Sequence, residues 1–153
     1  MDIPTNATPA MQRYAAEIYR LQEHHEFVPL AEVAEHVENS IQAVSRMVKR
    51  LREEGFVAQK MYQGVRLTPT GERIAMPAIR RHRLAEVFLV KMMGYDWADA
   101  HDLTEILVNG VNDDLEDRMD ELSGFPTRCP HGEPIPSREG VMPEVNDRPL
   151  VEF

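Results

Sequence analysis

The sequence predicts a mainly α-helical chain in which an N-terminal winged helix-turn-helix is followed by an all-α dimerisation domain and an extended, proline-rich tail. Three observations predict it. Helical periodicity in residues 9–55 gives way to strand-like alternation around Gln63-Gly64, which is the order of a helix-turn-helix and its wing. Apolar residues then recur at helical spacing as far as Leu122, and from Leu84 to Met93 they exceed what one core contact requires. Residues 124–153 finally hold six prolines and three glycines, too many for a packed helix or a central strand. The expected divisions are residues 1–68, 69–125 and 126–153.

Thr8 and Pro9 supply an N-cap and a first-turn proline, and Met11, Tyr14, Ala15, Ile18 and Leu21 recur behind them, predicting a helix over about 9–24. Leu30, Val33, Ala34 and Val37 form the stripe of a short second helix that stops at Asn39-Ser40. A third helix starts at once. Ile41, Val44, Val48 and Leu51 mark its inner face, while Gln42, Ser45, Arg46 and Lys49 share another. Gly55 ends it, and Phe56, Val57 and Met61 lead into a hairpin that turns at Gln63-Gly64 and resumes with Val65 and Leu67.

Thr68 and Pro69 open a long helix expected to reach about Met93, kinked or locally broken at Pro77. Its end, Leu84 to Met93, is apolar nearly all round, which suggests a subunit interface. A helix over 97–108 should bury Leu103, Ile106 and Leu107 and turn His101 and Glu105 the other way. After Asn109-Gly110 a last helix should bury Val111, Leu115, Met119 and Leu122.

Charge is segregated. The chain carries -9, yet residues 41–83 hold ten Lys/Arg against three Asp/Glu, a local +7, as expected of a face that meets a polyanion. A recognition helix in the major groove needs outward donors and acceptors. Gln42, Ser45 and Arg46 are placed to meet bases, with Ser40 and Ala43 also expected at the DNA face, whereas Lys49, Arg50, Lys60, Tyr62 and Arg66 suit phosphates, which give affinity without sequence choice. Double-stranded DNA is therefore the expected partner. No apolar run approaches bilayer length and the N-terminus lacks the regions of a secretory signal, so no membrane partner and a cytoplasmic location are expected. A single cysteine excludes an intramolecular disulfide.

The basic segment also carries donors of another kind. In RRHRLAE, His82 and Glu86 stand one helical turn apart, His101 and Glu105 repeat the spacing, and RCPHGEPIP adds Cys129 and His131. Singly, a histidine with a glutamate at i+4 means only a helix-stabilising contact. Together these are nitrogen, oxygen and sulfur donors of the sort that bind divalent transition metals.

The order of motifs, a winged helix, then LTPTGERIA, RRHRLAE, GYDWADAHD and a C-P-H-G loop before P-I-P, resembles the diphtheria-toxin-repressor family of iron- and manganese-dependent transcription regulators. The resemblance covers nearly the whole chain. It implies a homodimer that binds a palindromic operator when a divalent metal is bound and represses metal-uptake genes. One metal site of that pattern falls here on His82, Glu86 and His101, joined in members with the loop by Cys129 and His131. The family's other site matches at Glu105 alone, since Val108, Asn109 and Arg13 stand where ligands belong; either it is absent or Glu17, Asn109 or Asp113 rebuild it. The ion expected is Mn(II) or Fe(II), with Zn(II), Co(II) or Cd(II) able to bind in vitro, a thiolate drawing the site toward softer ions. NDRPLVEF looks like the approach to an SH3-like domain that many members carry. An enzyme is not expected, because no HExxH or comparable motif accompanies the donors. A winged-helix regulator or adaptor without a metal switch is the alternative.

Overall fold

A computed structural model describes residues 6–143, and the NDRPLVEF segment lies outside the described residues. The chain forms two compact units, divided between Ala78 and Ile79.

In the first unit, α1 (Pro9–Leu21) begins where the Thr8 hydroxyl accepts from the Met11 amide at 3.1 Å, and it ends three residues sooner than periodicity predicts. The short α2 (Leu30–Val37) stops on Glu38, whose φ of 55° puts it in the left-handed region that closes helices. The Ser40 hydroxyl accepts from the Ala43 amide and opens α3 (Ile41–Glu53). The strands β1 (Val57–Lys60) and β2 (Gly64–Leu67) pair antiparallel, Val57 opposite Leu67. Their turn lies earlier than expected. Tyr62, with φ 64°, takes the left-handed position, and Gly64 is already in β2. Gly64 is needed there for another reason, since a Cβ would sit 1.9 Å from the Val28 carbonyl oxygen, where Val28 and Val65 exchange backbone hydrogen bonds. Ile18, Val28, Val33, Val44, Val48, Leu51, Phe56 and Val65 are fully buried among these elements, each contributing about 1.5–3 kcal/mol. Met61, by contrast, is 76% exposed at the tip of the wing.

The helix α4 (Pro69–Val87) starts in the first unit and ends in the second. Thr68 fixes its start, accepting from the Gly71 amide and donating to the Gly55 carbonyl. Gly71 lies so close to the strand that a Cβ would approach the Phe56 oxygen to 1.9 Å, which is the physical meaning of the glycine in LTPTG. The helix passes through Pro77 without ending, then widens into a π-helical segment, Phe88–Met92.

In the second unit, α5 (Trp97–Asn109) is capped by Asp96 and α6 (Asp113–Leu122) by Asn112. Their inner faces depart from the predicted ones. Ala100 and Thr104 are the buried positions of α5, while Ile106 is 71% exposed. In α6, Met119 and the charged Glu116 are buried, and Leu115 and Leu122 are exposed. Glu116 can be internal because Arg80 and Arg81 of α4 both donate to it, at 3.0 and 2.7 Å. Arg80 also reaches Asp120 and the Pro136 carbonyl, and Arg81 reaches Asp113 and the Val111 carbonyl. Burial opposes the charge on Arg81, but the bonds and charges of Glu116 and Asp113 outweigh it and raise its pKa. Part of the local +7 is thus neutralised inside the second unit. The extended stretch after α6 packs closely in part, with Cys129 and Ile135 buried against Leu84 and Val87. Among the described residues, no helix is long and apolar enough to cross a membrane.

Candidate metal centre and nucleic-acid face

The last turns of α4 carry the centre. His82 and Glu86 lie one turn apart, and the imidazole Nε2 donates to Glu86 Oε1 at 2.7 Å. Glu86 is a carboxylate with 5% exposure and its second oxygen faces His131 Nδ1 at 2.9 Å. The Cys129 thiol stands 3.7 Å from that same nitrogen. Glu86, Cys129 and His131 each offer a donor atom within 4.8 Å of the others. From α5, Glu105 comes within 3.3 Å of His82 Nδ1, so one imidazole lies between two carboxylates.

The loop is held by hydrogen bonds of its own. The Cys129 amide donates to the Glu133 carbonyl, the Gly132 amide returns to the Cys129 carbonyl, and Arg128 pairs across to Pro134. Arg83, 4% exposed, donates to the Pro134 carbonyl at 2.5 Å and to the Glu133 carboxylate at 3.0 Å. Burial raises the pKa of the Cys129 thiol, with the Glu86 and Glu133 charges acting in the same direction against two backbone hydrogen bonds. A buried carboxylate between two imidazoles, beside a thiol, fits a divalent transition ion by its donor chemistry.

His101 is not brought into this group. It is exposed and stacks with Trp97, ring centroids 6.3 Å apart, while the rings of Trp97 and His131 meet edge to face with centroids 4.5 Å apart. Glu17 is paired with Arg20 at 2.6 Å, and Asp113 with Arg81. Val108 packs with Ala85, Val111 and Met119 as core, and Asn109 is exposed. Trp97 and Arg83 are the participants that sequence reasoning missed. The W-x-x-x-H spacing of Trp97 and His101 was the available signal for the first; nothing local marks the second.

On the first unit, α3 buries Val44, Val48 and Leu51 and leaves Ser40, Gln42, Ser45, Arg46, Lys49 and Arg50 exposed, with Ala43 half-buried. Tyr62 is 99% exposed at the tip of the wing. Lys60 and Arg66 lie over the ring of Phe27 at 5.5 and 5.9 Å, and Arg66 also donates to the Glu26 carbonyl. Phe27 therefore lies against cations from both strands of the wing.

A winged helix with a free polar helix face, followed by a helical unit that gathers imidazole, carboxylate and thiol, has the layout of a metal-sensing regulator. Residues 6–65 match the model of the iron dependent repressor N-terminal DNA binding domain, and residues 68–137 match the iron dependent repressor metal binding and dimerisation domain. The chain is 36% identical to the diphtheria toxin repressor of Corynebacterium efficiens over 126 residues, 82% of this chain and 54% of that one. It is 30% identical to the HTH-type transcriptional regulator MntR of Bacillus pumilus, covering 77% of this chain and 81% of the relative. A solved manganese-dependent transcriptional repressor in complex with manganese superposes with a TM-score of 0.75 at 39% identity, over 92% of this chain and 65% of that one. The chain belongs to the iron-dependent repressor family. It spans little more than half the length of the corynebacterial repressors it matches.

Proposed function

We propose that the protein is a divalent-metal-responsive transcription regulator, a homodimer that binds a palindromic operator when loaded with Mn(II) or Fe(II) and represses metal-uptake genes. The observation that carries this reading is the Glu86 carboxylate, whose two oxygens each meet a different imidazole, beside the Cys129 thiol. His82, Glu86, Cys129 and His131 would hold the ion, with Glu105 adjoining through His82 and His101 one turn before it on α5. A bound divalent cation would supply positive charge to neutralise the carboxylate and thiolate and would tie together donors from separate segments.

The remaining work falls to the chain itself. His82 and Glu86 sit on the same helix as the Arg80 and Arg81 ion pairs, so the donors of α4 are braced against α6. Arg83 fixes the loop that presents Cys129 and His131. Ordering α4, α5 and the loop favours one arrangement of the second unit, and a regulator needs only that arrangement to be the DNA-competent one. A hundredfold preference requires the loaded form to discriminate by about 2.7 kcal/mol. Ser40, Gln42, Ala43, Ser45 and Arg46 then face base edges, with Lys49, Arg50, Lys60, Tyr62 and Arg66 on phosphates. The relatives are DNA-binding regulators rather than enzymes, which supports a binding role for the donor set.

The test is titration of promoter duplex with wild type and His82→Ala under Mn(II), Fe(II), Zn(II) and chelator. Wild type should bind far more tightly with metal than with chelator, and the variant should lose most of that difference. Equal DNA binding by both proteins under every metal would sink the proposal.

A further inference from the structure

Between α1 and α3 lies an open cleft of about 420 Å³, lined by Arg13, Tyr14, Asn39, Arg46, Met47 and Arg50 among others. All three charged residues on its wall are guanidinium-bearing, and no carboxylate joins them. Among the described residues, every other arginine is engaged through its side chain. Arg20, Arg80, Arg81, Arg83, Arg118 and Arg138 pair with carboxylates; Arg52, Arg66, Arg73 and Arg128 bond to other oxygens. The unpartnered three are those that share this cleft. In a chain of net charge -9, carboxylates are in no short supply. Three guanidinium groups left without one, on two helices around one space, define a place for an anion supplied from outside.

Tyr14 adds a donor. Its side chain is 3% exposed, and its hydroxyl accepts from Asn39 Nδ2 at 3.2 Å, which leaves its own proton without an acceptor among the described residues. Tetrahedral oxyanions suit this set, because planar guanidinium forks donate in pairs to phosphate oxygens.

We infer that the α1/α3 cleft is a phosphate-binding site, with Arg13 as the residue that completes it. This goes beyond the regulator reading, which gives Arg13 no role, and it departs from that reading at Arg46, assigned there to base edges and here, with Arg50, to phosphate. The phosphate is either a backbone group of bound duplex or a free oxyanion, and the two sources separate experimentally.

Duplex affinity of the full chain is measured by anisotropy across KCl concentrations at saturating Mn(II), for wild type, Arg13→Gln and Arg20→Gln. The last removes an equal charge from the same helix but away from the cleft. In parallel, thermal stabilisation by inorganic phosphate is measured without DNA. If the phosphate belongs to the duplex, Arg13→Gln weakens binding about tenfold and lowers the log–log salt slope by about 0.9, while Arg20→Gln leaves the slope alone. If Arg13→Gln spares DNA but abolishes stabilisation by inorganic phosphate, the site takes a free oxyanion. The inference is overturned if Arg13→Gln matches wild type in both measurements, or if Arg20→Gln produces the same losses. Should wild type bind no duplex at all, the regulator reading fails while the phosphate arm still decides the cleft.

Discussion

Replacing Arg83 by methionine tests the centre without removing a donor. The side chain is 4% exposed, so an apolar residue of similar length remains packed. Two bonds are lost, one to the Pro134 carbonyl at 2.5 Å and one to the Glu133 carboxylate at 3.0 Å. A charge-assisted bond contributes about 1.5–3 kcal/mol when shielded. That to Glu133 lies at the lower end or below, because its carboxylate is 36% exposed and screened. The tether is therefore worth about 2 kcal/mol. Cys129 and Ile135 still anchor the loop against Leu84 and Val87, so the fold should persist with the loop less well placed. At 1.4 kcal/mol per factor of ten, metal affinity should fall by up to about thirtyfold, within the span seen when a partner of a metal ligand is removed. Trp97, the only tryptophan, lies 4.5 Å from His131 and reports loading by its fluorescence. Titration with Mn(II) against a competing chelator gives the affinities. An Arg83→Met protein that binds metal within threefold of wild type would refute the role given to the tether.

Other perturbations separate the fold from the site. Glu116→Gln leaves Arg80 and Arg81 facing a neutral amide at a position with 5% exposure, and should cost about 3 kcal/mol, read as a lower urea midpoint at unchanged slope. Gly71→Ala drives a Cβ to 1.9 Å from the Phe56 oxygen, so α4 must shift; a loss of about 2 kcal/mol in the same assay is expected, and an unaltered midpoint would show that the helix start gives way freely. Tyr62→Gly relieves a left-handed residue with φ 64° and 99% exposure, and should stabilise the fold by up to about 1 kcal/mol while weakening DNA binding. Destabilisation there would mean that the Tyr62 ring makes contacts the wing depends on.

The winged helix was legible because its caps and breakers are local. Thr8-Pro9, Ser40, Gly55 and Thr68-Pro69 each act within a few residues, and each sits at a boundary of the structure. The second unit was less so. Periodicity assigns apolar residues inward, but Ile106, Leu115 and Leu122 are exposed in this chain, and the inward place on α6 goes to Glu116. A carboxylate becomes internal when arginines thirty-six and thirty-five residues away reach it, and no window of α6 contains that information. Which of the candidate donors come together could not be read from their spacing. His101 and Glu105 stand one turn apart on α5, and only the rotation of that helix brings Glu105, rather than His101, to His82.

The crowding of charge in RRHRLAE follows from helix geometry. Successive residues diverge by about 100°, so four neighbours can serve different partners. Arg81 points to the start of α6 and Arg80 to its middle and to the Pro136 carbonyl. Arg83, one turn on from Arg80, takes the Pro134 carbonyl of the same extended stretch. That leaves His82 for Glu86 and Glu105. The basic residues around the histidine are thus the fasteners that hold α6 and the Cys129 loop in place while His82 and Glu86 face each other. Counting charge along the sequence merged these cations with those of α3 and the wing. Their partners separate them, since Arg80, Arg81 and Arg83 pair with carboxylates, whereas Arg13, Arg46 and Arg50 line the α1/α3 cleft with no carboxylate partner among the described residues.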